Sequence, residues 1–180
     1  ADRMPVFAMK RLRVMLTEHL PWSLLSDHGH MDVKTLEDGA TLGPFTVTAR
    51  RVPHRGEASE TAALEVRGPS ASALYLPDID RWHGWSTRVA DLVASVDRAY
   101  LDGTFFDDDE LGWRDPSTVP HPRVKDTMDL LQHLPAQERN KVHFIHLNHT
   151  NPLLNPHSAA SREVADRGFH VAREGQTFKL

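Results

Sequence analysis

Two short apolar runs each stop on a side chain able to bind a metal. Ala73-Leu74-Tyr75-Leu76 leads into Asp78, and Val142-His143-Phe144-Ile145 leads into His146. Runs of this length bounded by turn formers read as short buried strands. A third string, TVTARRVPH, delivers His54 in the same way. In layered α/β proteins, chemistry collects beyond the carboxyl ends of the strands. Three strands converging there with His, Asp and His outline half of a metal site.

The rest of the chain supplies layers around these strands. Residues 5–19 carry apolar residues at helical spacing and predict an amphipathic helix, and 21–32 read as loop. A β pattern begins at Val33 with VKTLEDG, turns at Gly43-Pro44 and continues in FTVTARRVP. AALEVRG and ALYLPD follow as a hairpin or as adjacent strands. Helices are predicted over 85–96, over 124–134 with Pro122 at the first turn, and over 158–168 closed by Gly168. AYLDGTFF and VHFIHLNH are strands, and FHVAREGQTFKL is a final strand or hairpin. Strands alternating with helices predict an α/β fold, and 180 residues suit a single domain.

Composition narrows the chemistry. Cysteine is absent, so any metal must be held by imidazole and carboxylate. The net charge of −4, with no long basic run, disfavours nucleic acid as a partner. No apolar stretch approaches the ~20 residues of a membrane helix, and no signal-peptide pattern opens the chain, so a cytoplasmic location is expected. The 12 histidines are scattered instead of clustered as in a tag; His19, His28, His30, His133, His157 and His170 read as solvated surface.

The remaining histidines and acids fall in telling contexts. His54 and His146 follow strands into polar loops. Asp78 is either a helix cap or a ligand, and Asp80 is the better placed of the two for capping. Asp102, followed by Gly103, either forms a tight turn or supports a ligand from behind. Asp107, Asp108, Asp109 and Glu110 read as a solvated charge run. His121 lies between Pro120 and Pro122, which restrict the backbone on both sides and suit a proton donor of fixed position. Asn148, His149 and Asn151 read as polar lining of a pocket.

Taken in order, VPHR, YLPDID, LDGTFF, PHP and IHLNHTNPLL resemble the metallo-β-lactamase-fold hydrolases, in particular the branch similar to coenzyme pyrroloquinoline quinone synthesis protein B. The tail from Gly168 to Leu180 matches the same pattern, and the resemblance covers the chain from about Val33 onward. It implies an αββα sandwich holding two divalent ions, usually zinc, with manganese or iron as alternatives. His54, Asp78 and His146 would be metal ligands, with Asp78 bridging. His121 stands where phosphodiesterase relatives carry a histidine acting as general acid. The family's His-x-His-x-Asp-His signature is absent, and Asp27-His28-Gly29-His30 retains only its His-x-His. The expectation is therefore the C-terminal part of the fold, lacking the N-terminal βαβ half.

The implied function is a metal-dependent hydrolase of phosphodiester or related small-molecule esters acting through a metal-activated water, incomplete within these 180 residues. Asp102, Asn148 and His149 would line or support the pocket. His54 brings the chain nearer to hydrolase relatives than to cofactor-pathway members. The competing expectation is a non-catalytic assembly module, or a protein of coenzyme pyrroloquinoline quinone biosynthesis or transport. Half a sandwich exposes an apolar sheet face, so pairing with an N-terminal half or a homo-oligomer is expected.

Overall fold

Apolar residues at alternate positions build a central sheet. The computed structural model describes residues 2–36 and 39–180. In chain order the elements are β1 (Met4–Ala8), α1 (Lys10–Glu18), α2 (Ser23–Asp27), β2 (Met31–Thr35), β3 (Ala40–Leu42), β4 (Phe45–Arg51), β5 (Ala62–Arg67) and β6 (Ser72–Leu76). There follow α3 (Val89–Ala94), β7 (Arg98–Asp102), α4 (Val124–Leu131), α5 (Ala136–Arg139), β8 (Val142–Ile145), α6 (Ala159–Asp166) and β9 (His170–Val171). Seven strands form one sheet in the order β3-β4-β5-β6-β7-β8-β9, and β1 pairs with β2 in a separate parallel pair.

The sheet's directions place the site. From β3 to β6 neighbours are antiparallel, and from β6 to β9 they are parallel. Two reversals return β4 to the direction of β6. The carboxyl ends of β4, β6, β7 and β8 therefore share one edge.

On one face of the sheet Leu74, Leu76, Ala99, Leu101, Val142 and Phe144 are fully buried. Against them α3 places Val89, Leu92 and Val93, α4 places Val124, Met128 and Leu131, and α6 places Ala160 and Val164. Each wholly buried Leu, Val or Phe contributes about 1.5–3 kcal/mol. This core fixes the strand ends from which the functional side chains project. The opposite face is less covered: Tyr75 is 48% exposed, and Tyr100 and Ile145 are half-buried. The α/β layering expected from the sequence is present. Among the described residues, no helix is long and apolar enough to cross a membrane.

Several boundaries differ from the pattern in the sequence. Residues 4–8 are a strand, because β1 pairs in register with β2, Val6 opposite Val33; the helix begins only at Lys10. The stretch read as loop contains α2. Of the strand expected through VKTLEDG, Glu37 and Asp38 lie outside the described residues. The 85–96 helix shortens to α3. Pro122 stands before Arg123, the N-cap of α4, and so outside the helix. Gly168 does follow α6 with φ +82°, and Ser158 caps that helix by accepting from Ser161 N–H at 3.0 Å.

Candidate metal centre

Asp78 lies two residues beyond β6, Asp102 ends β7, and His146 directly follows β8. His121 reaches the same edge from the loop before α4, where its N–H donates to Asp80 O at 3.1 Å. One potential ligand atom from each of Asp78, Asp102, His121 and His146 falls within a mutual 4.8 Å. His54, beyond the end of β4, stands on the other side of Asp78, its Nε2 3.1 Å from Asp78 Oδ2.

The backbone beneath this cluster is forced. His121 and His146 have φ of 76° and 61°, a left-handed conformation uncommon for residues with a side chain and concentrated at functional sites. Gly103 is required for a reason other than turn flexibility. A Cβ there would lie 2.9 Å from Phe144 Cβ and 3.0 Å from Ile145 O, so only glycine lets β7 close onto β8 at the site.

One hydrogen-bond network ties the side chains together. Asp102, wholly buried, accepts from Ile79 N–H (3.1 Å), Thr104 N–H (2.9 Å) and Thr104 O–H (2.7 Å). Its Oδ2 also meets His121 Nδ1 at 2.8 Å. With the Thr104 hydroxyl hydrogen given to Asp102, Thr104 Oγ1 is left to accept from His146 Nδ1 at 2.9 Å. That pattern assigns both imidazoles an Nδ1–H and leaves each Nε2 free. A histidine whose Nδ1–H is held and whose Nε2 is free has the arrangement typical of a metal ligand or of a proton carrier.

Two features fit a bound cation. Asp78 Oδ1 is buried with no hydrogen bond among the described residues; His121 Nδ1 stands 3.4 Å from it but is turned to Asp102 at 2.8 Å, so the oxygen keeps a costly unmet demand that a cation would compensate. His54 Nδ1 meets Asp80 Oδ1 at 2.8 Å, so with its proton there its Nε2 lone pair faces Asp78 Oδ2. Two facing lone pairs repel unless a proton or metal ion sits with them. The donors are imidazole and carboxylate in a chain without cysteine, a set suited to zinc, manganese or iron. Burial alone would push the His121 imidazole down. The Asp102 hydrogen bond and the charges of Asp102, Asp78 and Asp80 outweigh it, and the pKa stands above the usual histidine value.

The sequence singled out most of these residues but missed two. Asp80 caps no helix: the chain after it stays irregular until α3, and its carboxylate holds His54 instead. Thr104, the hub between Asp102, His121 and His146, went unnoticed, although the Asp-x-Thr spacing of an Asx turn was a usable signal. Asn148 donates its N–H to Thr104 O at 3.0 Å, while His149 is exposed on the same loop. Asn151 is a staple and not a lining residue, its buried amide donating to Gly103 O at 2.8 Å. In the acidic run, Asp108 pairs with Arg123 at 2.8 Å and Asp107 with Lys125 at 2.9 Å, so those two are engaged and not merely solvated.

Residues 1–146 match the family model described as the beta-lactamase superfamily domain, so the likeness extends over the N-terminal 32 residues that the motifs left out. The chain is 26% identical over 160 residues to the coenzyme PQQ synthesis protein B of Gluconobacter oxydans, spanning 83% of this chain and 51% of that protein. It is 34% identical over 136 residues to the protein of the same name in Pseudomonas fluorescens, spanning 71% and 43%. The chain thus spans about half the length of the curated relatives it matches. Among solved structures, Zn(2+)-bound PqqB from Methylobacterium extorquens superimposes with a TM-score of 0.76 at 18% identity, over 99% of this chain and 65% of that one. A diphosphatase from the PhnP family superimposes with a TM-score of 0.62 at 17% identity, over 97% and 57%. At these identities the superpositions speak to the fold alone.

Proposed function

This chain belongs to the β-lactamase superfamily, and from that premise we propose that its strand-end cluster is part of a metal-dependent hydrolase site acting on a phosphodiester or related ester. The observation that carries the reading is the buried, unpartnered Asp78 Oδ1 amid imidazole and carboxylate donors. Asp78 and His146 hold a divalent ion, His146 through the Nε2 left free by its bond to Thr104, and His54 completes the donor set across Asp78. When bound, zinc, manganese or iron supplies a water of lowered pKa and positive charge for a developing oxyanion. His121 carries a proton to the leaving group from its Nε2, while Asp102 and Thr104 fix its orientation. The same support makes Asp102 and Thr104 positioning residues, since neither needs to touch substrate.

Zinc content of this chain tests the assignment. Wild-type protein should retain about one equivalent after gel filtration, and Asp78→Asn and His146→Asn should each lose it. Unchanged stoichiometry in both would sink the ligand assignment. His121→Ala should keep the metal and slow hydrolysis of bis(p-nitrophenyl) phosphate; loss of metal instead would make His121 a ligand.

Sequence likeness to proteins named for coenzyme PQQ synthesis supports a second reading, participation in making that cofactor. Rescue of a strain lacking its own synthesis protein B by the gene for this protein would favour that reading.

A further inference from the structure

The loop over residues 52–61 carries His54 away from the end of β4. At its base Val52 N–H donates to Thr61 O at 3.0 Å, and Pro53 O accepts from Asp80 N–H at 2.8 Å. Residues 54–60 then run outside the strand ladder. A further hold on them comes from α1, some 45 residues earlier in the chain.

The start of α1 is short of acceptors. Its N-cap, Met9, makes no side-chain bond, and its first turn holds Lys10 and Arg11 but no acid. Orphan N–H groups and a positive first turn both disfavour a helix start. Glu60 answers both. Its side chain, only 2% exposed, accepts from Arg11 N–H at 3.0 Å and from Leu12 N–H at 3.2 Å. The same carboxylate accepts from Arg51 Nη2 at 3.1 Å, three residues before His54. Arg11 closes the clamp from its own side, donating to Gly56 O and Glu57 O, both at 2.6 Å. A planar guanidinium gripping two successive carbonyls fixes the direction of the backbone as well as its distance. The gripped residues stand two and three places beyond His54, whose Nε2 lies 3.1 Å from Asp78 Oδ2.

Resting on the metal reading above, we infer that Glu60 and Arg11 are positioning residues for His54: α1 and the 52–61 loop clamp each other, and the clamp sets where the imidazole stands beside Asp78. The small unit built from β1, α1, α2 and β2 thereby acts on the metal centre without touching it.

Two variants break the clamp by different routes. Glu60→Gln keeps the shape but loses the charge and one acceptor. Arg11→Lys keeps the charge and the helix but cannot span two carbonyls. Glu57→Gln, at an exposed side chain of the same loop, is the control. Nitrogen NMR of the metal-stripped protein reads the His54 imidazole, assigned by its loss in His54→Gln. Its signals should shift and broaden in both clamp variants and hold still in the control, while those of His143, beneath the far side of the sheet, stay fixed in all three. Zinc affinity, measured by competition with a chelator, should fall about tenfold or more in both clamp variants. His54 signals at their wild-type positions in both, or wild-type zinc affinity in both, would overturn the inference even if the melting temperature falls, since the clamp would then be a structural tie and nothing more. A wild-type protein that binds no zinc counts against the metal reading alone, and the imidazole signals then decide this one.

Discussion

His121 and His146 bring their Nδ1 atoms to one hydroxyl, Thr104 Oγ1, at 3.1 and 2.9 Å, and both do so from a left-handed backbone. Two side chains converge on one oxygen because the chain accepts unfavourable φ values on either side of it.

That strain has a measurable sign. In ordinary positions alanine is more stable than glycine. At 121 and 146 the order should reverse, since alanine keeps the left-handed penalty and glycine does not. Urea unfolding of His146→Gly against His146→Ala should favour glycine by about 1 kcal/mol, and the same pair at 121 should behave alike. Alanine as stable as glycine at both positions would mean the backbone is relaxed.

Asp102 is a buried acid that stabilises only because four donors surround it: the N–H groups of Ile79 and Thr104, the Thr104 hydroxyl and His121 Nδ1. Asp102→Ala leaves those donors unpaired in a dry site and should cost about 3 kcal/mol. A melting temperature unchanged from wild type would show that the network does not hold the loops.

Gly103→Ala couples stability to function. The added Cβ meets backbone and Cβ atoms of β8, which cannot swing away as a flexible side chain could. The strands must part, at about 1–3 kcal/mol. Because Asp102 and His146 sit on those two strand ends, zinc affinity should fall together with stability. A variant that melts lower but binds zinc normally would separate the two.

The legible part of this molecule was the part governed by short-range pattern. The strand ends at Asp78, Asp102 and His146 and the apolar faces of α3, α4 and α6 follow from periodicity, and all lie where that pattern puts them. β1 did not, because Met4–Ala8 carries helix-compatible residues, and only its partner β2 some 25 residues later decides for strand. Asp80 and Thr104 share the second difficulty. Each acts through a residue distant in sequence, His54 for one and His121 and His146 for the other; the local Asx turn marks Thr104 as a partner of Asp102 but carries no trace of the two histidines it joins. The clamp between Glu60 and α1 is the same case, assembled from segments that meet only after folding.

On the less covered face of the sheet, His143 is buried with its ring stacked on His170 at 4.7 Å, near Tyr100, and accepts from Arg98 at 2.7 Å through Nε2. Burial pushes its pKa down to about 4; the Lys141 carbonyl opposes this, and the charges of Arg98 and His170 add to the lowering. In the unfolded chain the same imidazole titrates near 6.5. Between those values the unfolded state binds the proton and the folded state does not, so stability is full above about pH 7 and is lost as the pH falls. By pH 5 the loss from this group should reach about 2 kcal/mol. His170, also lowered, adds in the same direction. Urea midpoints at pH 7, 6 and 5 should therefore decline steeply for wild type and less so for His143→Gln, which cannot take the proton. Parallel declines in the two proteins would place the acid sensitivity elsewhere.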